Sequence, residues 1–311
     1  MLHGNKKKLG DSKPERIAKV IARAGLCSRR EAERWILDGR VQVNGVVLDT
    51  PAMTITATDN IVVDGNEIPN AEKQRIWRYH KPAGLLTTHN DPEGRPNLFD
   101  NLPKNMPRVI SIGRLDLNSE GLLLLTNDGD LARELELPNN KWQRRYRVRV
   151  YGRPNEKSFS ALLSGITVDG VRYKSIDVKI DRQQGANAWL TVSLIEGKNR
   201  EIRRIMEHLG FSVSRLIRIS FGPFQLGNLE KGNVEEVRGN VLRDQLSGLD
   251  KTGFAKKTIR KNNIYVSKET EKKKSLKLVN SVRSRKRGQK AREKDRVKAN
   301  SSKLDNRTRL N

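Results

Sequence analysis

Four consecutive leucines, Leu122 to Leu125, constrain this chain more than any other feature. A short apolar run of that kind, bounded by turn residues, reads as a strand inside a sheet. A second apolar run, Val109-Ile110-Ser111-Ile112, precedes it and reads the same way. Between them lies Gly113-Arg114-Leu115-Asp116-Leu117-Asn118-Ser119-Glu120-Gly121, which places one carboxylate, Asp116, in a turn beside Arg114. Strands position a side chain better than a free loop does, so a carboxylate at the mouth of a sheet suits chemistry. An aspartate in a turn also has an ordinary structural role, and pattern alone favours that role.

The partner of the chain is a polyanion. Among 311 residues, 62 Lys and Arg face 36 Asp and Glu, a formal charge of +26. Such an excess predicts phosphate contacts and salt-sensitive binding. Residues 251–311 hold 22 basic and 5 acidic residues, a net +17, which leaves +9 for the preceding 250. A membrane surface is the rival reading of basic charge. It is disfavoured, because the basic tail lacks an apolar helical face and no stretch approaches a spanning segment. Cys27 is the only cysteine, which excludes an intrachain disulfide and argues against a thiolate metal cluster. His3, His80, His89 and His208 lie far apart without metal-ligand spacing. The N-terminal residues Met1 to Arg16 are polar with no apolar signal core, so a cytoplasmic protein is expected.

Residues 1–14 read as a basic arm. Ile17, Val20, Ile21 and Ala24 recur at helical spacing before Gly25. Ser28 and Glu31 form a capping-box pattern for a second helix that carries Ala32, Trp35 and Ile36 on one face and stops at Gly39. Asn44-Gly45 and Asp64-Gly65 each join short β-branched runs into hairpins. Residues 15–72 are therefore expected to form a compact helix–helix–hairpin domain. Arg23, Arg29, Arg30, Arg34 and Arg40 fall on it as candidate RNA contacts. A solvated face would look similar, although Arg30 and Arg34, four apart, share one side of the second helix.

After a linker at 70–75, strands and helices alternate. Strands are expected at 144–151, 171–180, 188–195 and 213–221, and helices at 131–136, 155–163 and 199–209. An α+β domain with a mixed or antiparallel sheet follows, over residues 73–248. From 249 to 311 apolar periodicity is lost, and a disordered Lys/Arg-rich tail is expected.

Generic motifs account for little of this. Asn127-Asp128-Gly129-Asp130 is out of register for a calcium loop, and Asp130 reads as the N-cap of the 131–136 helix. No glycine-rich phosphate loop is present, which argues against ATP or NAD use. No Ser–His or Cys–His pair stands out. Asp116, several basic residues and a tyrosine remain.

Those residues carry a resemblance. The segment from Arg16 to Gly45 resembles the small RNA-binding domain named after the fourth small-subunit ribosomal protein, whose two helices and following loop lie on RNA. The rest resembles bacterial rRNA pseudouridine synthases of the RsuA/RluB type. Lys81-Pro82-Ala83-Gly84 is similar to that family's first motif, and Gly113 to Gly129 to its catalytic motif. Arg145-Tyr146-Arg147-Val148 matches the segment with the family's active-site tyrosine. Glu196-Gly197-Lys198-Asn199-Arg200-Glu201-Ile202-Arg203-Arg204, with Leu216-Ile217-Arg218, matches its third motif. Glu201 often appears as glutamine in relatives. The resemblance covers about residues 15–245.

The resemblance implies conversion of uridine to pseudouridine: the N1–C1′ bond breaks, the uracil turns and a C5–C1′ bond forms. That reaction has no net redox change, so no cofactor is expected. It does need a carboxylate, as nucleophile or as base, and the motif assigns this to Asp116. By the same resemblance, Arg203 or, as second choice, Lys198 favours the ionised form. Tyr146 stacks on the uracil and assists at C5, Leu216 packs beneath the base, and Arg114 helps hold the position the flipped base vacates. Without the resemblance Tyr146 reads as one more strand aromatic, Leu216 as core, and the basic pair as phosphate contacts. The expected partner is ribosomal RNA, and the expected state is a monomer. The long basic tail favours the large subunit, 23S rRNA, by analogy. Action on 16S rRNA and a non-catalytic assembly factor are the alternatives; a nucleoside-cleaving enzyme lacks a second well-placed acid.

Overall fold

The computed structural model describes residues 14–137, 140–246 and 264–265. The expected basic arm, and the tail apart from Ile264–Tyr265, lie outside the described residues.

The front module forms as its turn chemistry dictates. Helix α1 (Ile17–Arg23) ends before Gly25, whose φ of +86° suits a residue without a side chain. Helix α2 (Arg29–Leu37) starts at Ser28, whose hydroxyl accepts from the Glu31 amide at 3.1 Å. Val41–Val43 pairs with Val46–Val47 across Asn44-Gly45, and Ile61–Val63 with Asn66–Glu67 across Asp64-Gly65. The two inner strands pair with each other, giving four strands under the helices. Ile17, Ile21, Ile36 and Val41 are fully buried in the module's own core.

The second unit is built on one mixed sheet of ten strands. Along its main path the order is Ile176–Gln184, Asn187–Leu194, Arg144–Tyr151, Ser212–Phe221, Ser119–Thr126, Ile76–Lys81, Val234–Glu236 and Ile264–Tyr265. All pairings are antiparallel except one. The leucine strand Ser119–Thr126 runs parallel to Ser212–Phe221. All eight of its residues are buried, as the leucine run requires. Leu123 and Leu125 enter one core with Val148, Leu190 and Ile205; Leu122 and Leu124 enter another with Leu131, Phe221 and Phe224. Residues with period-two alternation flank it, and Arg144–Tyr151 alternates exposed and buried side chains strictly beyond its first residue.

Three local expectations change. Helix α3 (Gly129–Glu136) is capped by Asp128, not Asp130. The Asp128 carboxylate accepts from the amides of Asp130 and Leu131 at 2.9 and 2.7 Å, because an N-cap must precede the amides it satisfies. The expected 171–180 strand is two strands: Val171–Tyr173 hairpins with Ile166–Val168, and Ile176–Gln184 joins the main sheet. Burial of the Tyr173 ring redirects the chain there. The expected 155–163 helix is 3-10 over Glu156–Ser164, with Asn155 and Ser158 capping each other.

The two units touch. Lys19 of α1 pairs with Asp130 at the start of α3 at 2.6 Å, and Arg29 approaches the same carboxylate at 3.8 Å. No helix among the described residues is long and apolar enough to cross a membrane.

Candidate active site

The turn before the leucine strand is fixed by its own carbonyls. Leu115 accepts from the Thr87 hydroxyl at 2.8 Å, and Leu117 from the Gly84 amide at 2.8 Å. Asn118 accepts from Arg203 at 3.1 Å. The Lys81 ammonium, fully buried, donates to the carbonyls of Asp116, Leu117 and Ser119 at 3.0–3.3 Å, and to that of Pro82 at 3.0 Å. Every carbonyl from Leu115 to Ser119 is therefore held. Burial pushes the Lys81 pKa down to about 8, against the pull of Asp116 and Glu120.

Gly121 lets the strands close around that turn. It lies opposite Lys81 on one side and Arg218 on the other. Its φ is +104°, and a Cβ there would stand 2.3 Å from the Arg218 carbonyl oxygen. On the opposite face of the sheet, Glu120 is buried between Arg215, which binds it at 2.6 and 3.0 Å, and Lys231 at 2.5 Å. Burial works against its charge, but these two cations outweigh it and hold the carboxyl at about 2.

The Asp116 side chain is treated differently from its backbone. It is half-buried, and its carboxylate makes no hydrogen bond or ion pair among the described residues. It opens into a cleft of about 690 Å³. Arg114, Tyr146, Lys198 and Leu216 line the same cleft, together with Arg144 and Arg218. Tyr146 and Leu216 are both more than nine-tenths buried. Register puts them on the same face of neighbouring strands, as diagonal neighbours; such side chains stand about 7–8 Å apart.

Arg203 sits one layer behind. Its guanidinium donates to the carbonyls of Val213 and Asn118 rather than to Asp116. Burial lowers its pKa, Arg200 adds to that, and Asp116 opposes it. Lys198 lies over the Tyr173 ring, bonds the Arg172 carbonyl and pairs with Glu196 at 3.2 Å. Its backbone amide donates to Glu201 at 2.8 Å, and burial raises the Glu201 carboxyl.

The sequence reading gave no role to two arginines, Arg144 and, although it closes the quoted Leu216-Ile217-Arg218 segment, Arg218. Arg144 bonds the carbonyls of Trp142 and Ile195 and lies over the Phe221 ring at 5.0 Å. Arg218 donates from Nε to the Leu122 carbonyl at 2.8 Å. Its Nη2, like Nε of Arg203, is buried without a hydrogen-bond partner among the described residues. Strand alternation is the signal for Arg144, two residues before Tyr146 and hence on the same face.

The front-module arginines divide. Arg23 pairs with Glu15, Arg34 with Glu31, and Arg40 with Asp64 at 2.5 Å while stacking over Trp35. Arg30 is exposed and makes no ion pair among the described residues. Arg23 and Arg29 line a second cleft, of about 430 Å³, where the module meets the sheet domain, with Lys19, Arg108 and Arg133. No group of three or more His, Cys, Asp or Glu that could hold a metal occurs among the described residues.

Known proteins share this arrangement. The profile of the RNA pseudouridylate synthase family matches residues 75–208, and that of the S4 domain matches residues 15–61. An uncharacterized RNA pseudouridine synthase of Rickettsia prowazekii is 48% identical over 231 residues, which span 74% of this chain and 97% of that protein. Ribosomal large subunit pseudouridine synthase B of Pseudomonas aeruginosa is 42% identical, over 72% of this chain and 59% of that one. A pseudouridylate synthase crystal structure aligns with a TM-score of 0.54 at 23% identity, covering 74% of this chain and 99% of its own. An S4 domain ahead of a mixed sheet, with a free carboxylate in a basic cleft at the sheet's parallel seam, is thus no chance assembly: the chain belongs to the RNA pseudouridine synthase family.

Proposed function

We propose that this protein isomerises a specific uridine of large-subunit ribosomal RNA, with Asp116 as the reacting carboxylate. The observation that carries the assignment is the contrast at Asp116: a backbone held at every carbonyl and a carboxylate with no protein partner. A group fixed in place yet unengaged is pre-organised for a bond to an incoming ligand. The relatives named large subunit pseudouridine synthase B support the choice of RNA. The S4 domain and the basic cleft beside it supply phosphate contacts through Arg23, Arg29, Arg30, Arg34 and Arg40. A cytoplasmic, monomeric protein fits this role.

In this reading the target nucleotide leaves its stack and enters the cleft. The uracil lies against Tyr146 and Leu216, whose diagonal spacing admits a flat ring. Asp116 acts on the sugar, at C1′ as nucleophile or at C2′ as base, while the N1–C1′ bond breaks. The uracil turns, the C5–C1′ bond forms, and the C5 proton is lost as N1 gains one, so no oxidant or cofactor is consumed. The Tyr146 hydroxyl assists at C5. Arg203 secures the Asp116 turn through Asn118 and contributes positive potential. Arg218 and Arg144 offer donors to the uracil oxygens or the flanking phosphates. Arg114, exposed at the rim, holds the strand that the base has left.

Pseudouridine mapping of ribosomal RNA from a deletion strain tests this. One pseudouridine should disappear from large-subunit rRNA. Loss from the small subunit would overturn the choice of RNA, and an unaltered map of both would overturn the activity in the cell.

A further inference from the structure

The face of the sheet opposite the Asp116 cleft carries a row of cations. Arg145, Arg147 and Arg149 alternate along Arg144–Tyr151 and are exposed. Register sets Ser193, Thr191 and Trp189 opposite them on one side, and Arg215 opposite Arg149 on the other. Lys179 and Arg182 extend the patch onto the outermost strand, facing Thr191 and Trp189. Two carboxylates, Asp177 and Asp181, share this area, and Asp181 is engaged by the Thr191 hydroxyl at 2.9–3.0 Å and lies 4.0 Å from Arg147.

Other arginines of this domain stand against carboxylates. Arg75, Arg78, Arg95 and Arg215 each meet a carboxylate. Here Arg145, Arg149, Lys179 and Arg182 make no side-chain hydrogen bond or ion pair among the described residues. Like charges directly opposite one another on paired strands destabilise a sheet, and Arg149 stands opposite Arg215 in that way. Alternate residues of a strand advance about 6.7 Å, close to the step between successive phosphates of an extended nucleic-acid strand. Arg147 lies over the Trp189 ring at 4.9 Å, which holds one guanidinium flat on the surface.

We infer that this face is a second RNA-binding surface, which grips the phosphate backbone of a stretch of ribosomal RNA other than the one in the active site. A row of exposed guanidinium groups meets phosphates rather than base edges, so its contacts are independent of sequence. It faces away from Asp116 and cannot hold the nucleotide being modified. Apart from Trp189, Tyr151 and the half-buried Ile217 it is polar, which disfavours a lipid surface. A substrate that already occupies the cleft brings its distant segments to this face at high effective concentration. The inference does not depend on which uridine is the target.

The test is R145Q/R147Q/R149Q in the full chain, with full-length transcripts of both ribosomal RNAs as probes. The slope of log affinity against log salt should flatten by about 2–3, roughly 0.7–0.9 per lost phosphate contact. Affinity near about 150 mM salt should fall at least about tenfold, while turnover at saturating RNA stays within about twofold. R145K/R147K/R149K should restore the slope, which a merely structural role for the guanidinium groups would not predict. An unchanged slope would overturn the inference. So would loss of turnover at saturating RNA, or weakened binding to phosphatidylglycerol vesicles with RNA binding intact.

Discussion

The arginines of the front module and those of the cleft are chemically identical and are used in opposite ways. In the module, Arg34 and Arg40 stand on the surface and pair with Glu31 and Asp64. Exposed pairs of that kind contribute little to stability, so the guanidinium can exchange a carboxylate for a phosphate with little loss. In the sheet domain, Arg144, Arg203 and Arg218 are partly or fully buried and bond backbone carbonyls, with no carboxylate partner among the described residues. Burial lowers the pKa of Arg144 and Arg203, the mark of charge withdrawn from water. The first set supplies affinity and the second supplies geometry. Binding and chemistry should therefore separate under mutation.

The largest separation is expected at Asp116. Asp116→Asn keeps the size and the held backbone while removing the charge. Pseudouridine formation should fall by at least about 10⁴-fold, with RNA affinity and melting temperature nearly unchanged. Chemical detection of pseudouridine in treated RNA measures the first, and a binding isotherm the second. A variant that still turns over normally would break the assignment.

Gly121→Ala should act on the scaffold instead. A methyl group 2.3 Å from the Arg218 carbonyl forces the parallel seam apart. A loss of about 3–5 kcal/mol is expected, read from denaturant midpoints. An alanine tolerated at below about 1 kcal/mol would show that the seam is not the rigid support described above.

Tyr146→Phe retains the ring and removes the hydroxyl. Turnover should drop about 10²- to 10⁴-fold, the scale of one general acid–base contact, with KM little altered. An equal fall in affinity would mean that the hydroxyl serves binding. The smallest effects belong to the front module. Arg34→Ala and Arg40→Ala should each weaken RNA binding a few-fold and flatten the salt slope by about 0.7–0.9, leaving the rate at saturation intact. A fall in that rate would join the two regions that the comparison keeps apart.

What the sequence disclosed depended on how local the cause was. Turn residues and alternation are local, so the front hairpins, the leucine strand, the Asp116 turn and the Tyr146 strand were all legible. The α+β class and the family followed from motifs in order. Contacts set by distant chain segments were not legible. Asp128 outranks Asp130 as a cap because of amide geometry at a single turn, which spacing alone does not resolve. The strand expected at 171–180 divides because Tyr173 is claimed by a core assembled from remote segments. Arg218 was hidden for a similar reason, since only the sheet order shows that it reaches the cleft, whereas alternation with Tyr146 could have placed Arg144 there. Lys81 stood in a recognised motif, yet its task, gathering carbonyls 35 to 38 residues away, is visible only once the leucine strand lies beside it.

That lysine makes alkaline pH a tension between fold and function. Its ammonium has three hydrogens for the carbonyls it gathers, and the neutral amine has two. With the folded pKa near about 8 and the ordinary value at 10.5, the unfolded chain binds more protons between those limits. For this group alone, folding stability rises with pH across that window. Over the same window the Asp116 turn loses one of its donors. Through Lys81 the fold should thus gain stability while the reaction slows as pH climbs past 8, so a falling rate there need not be a sign of denaturation.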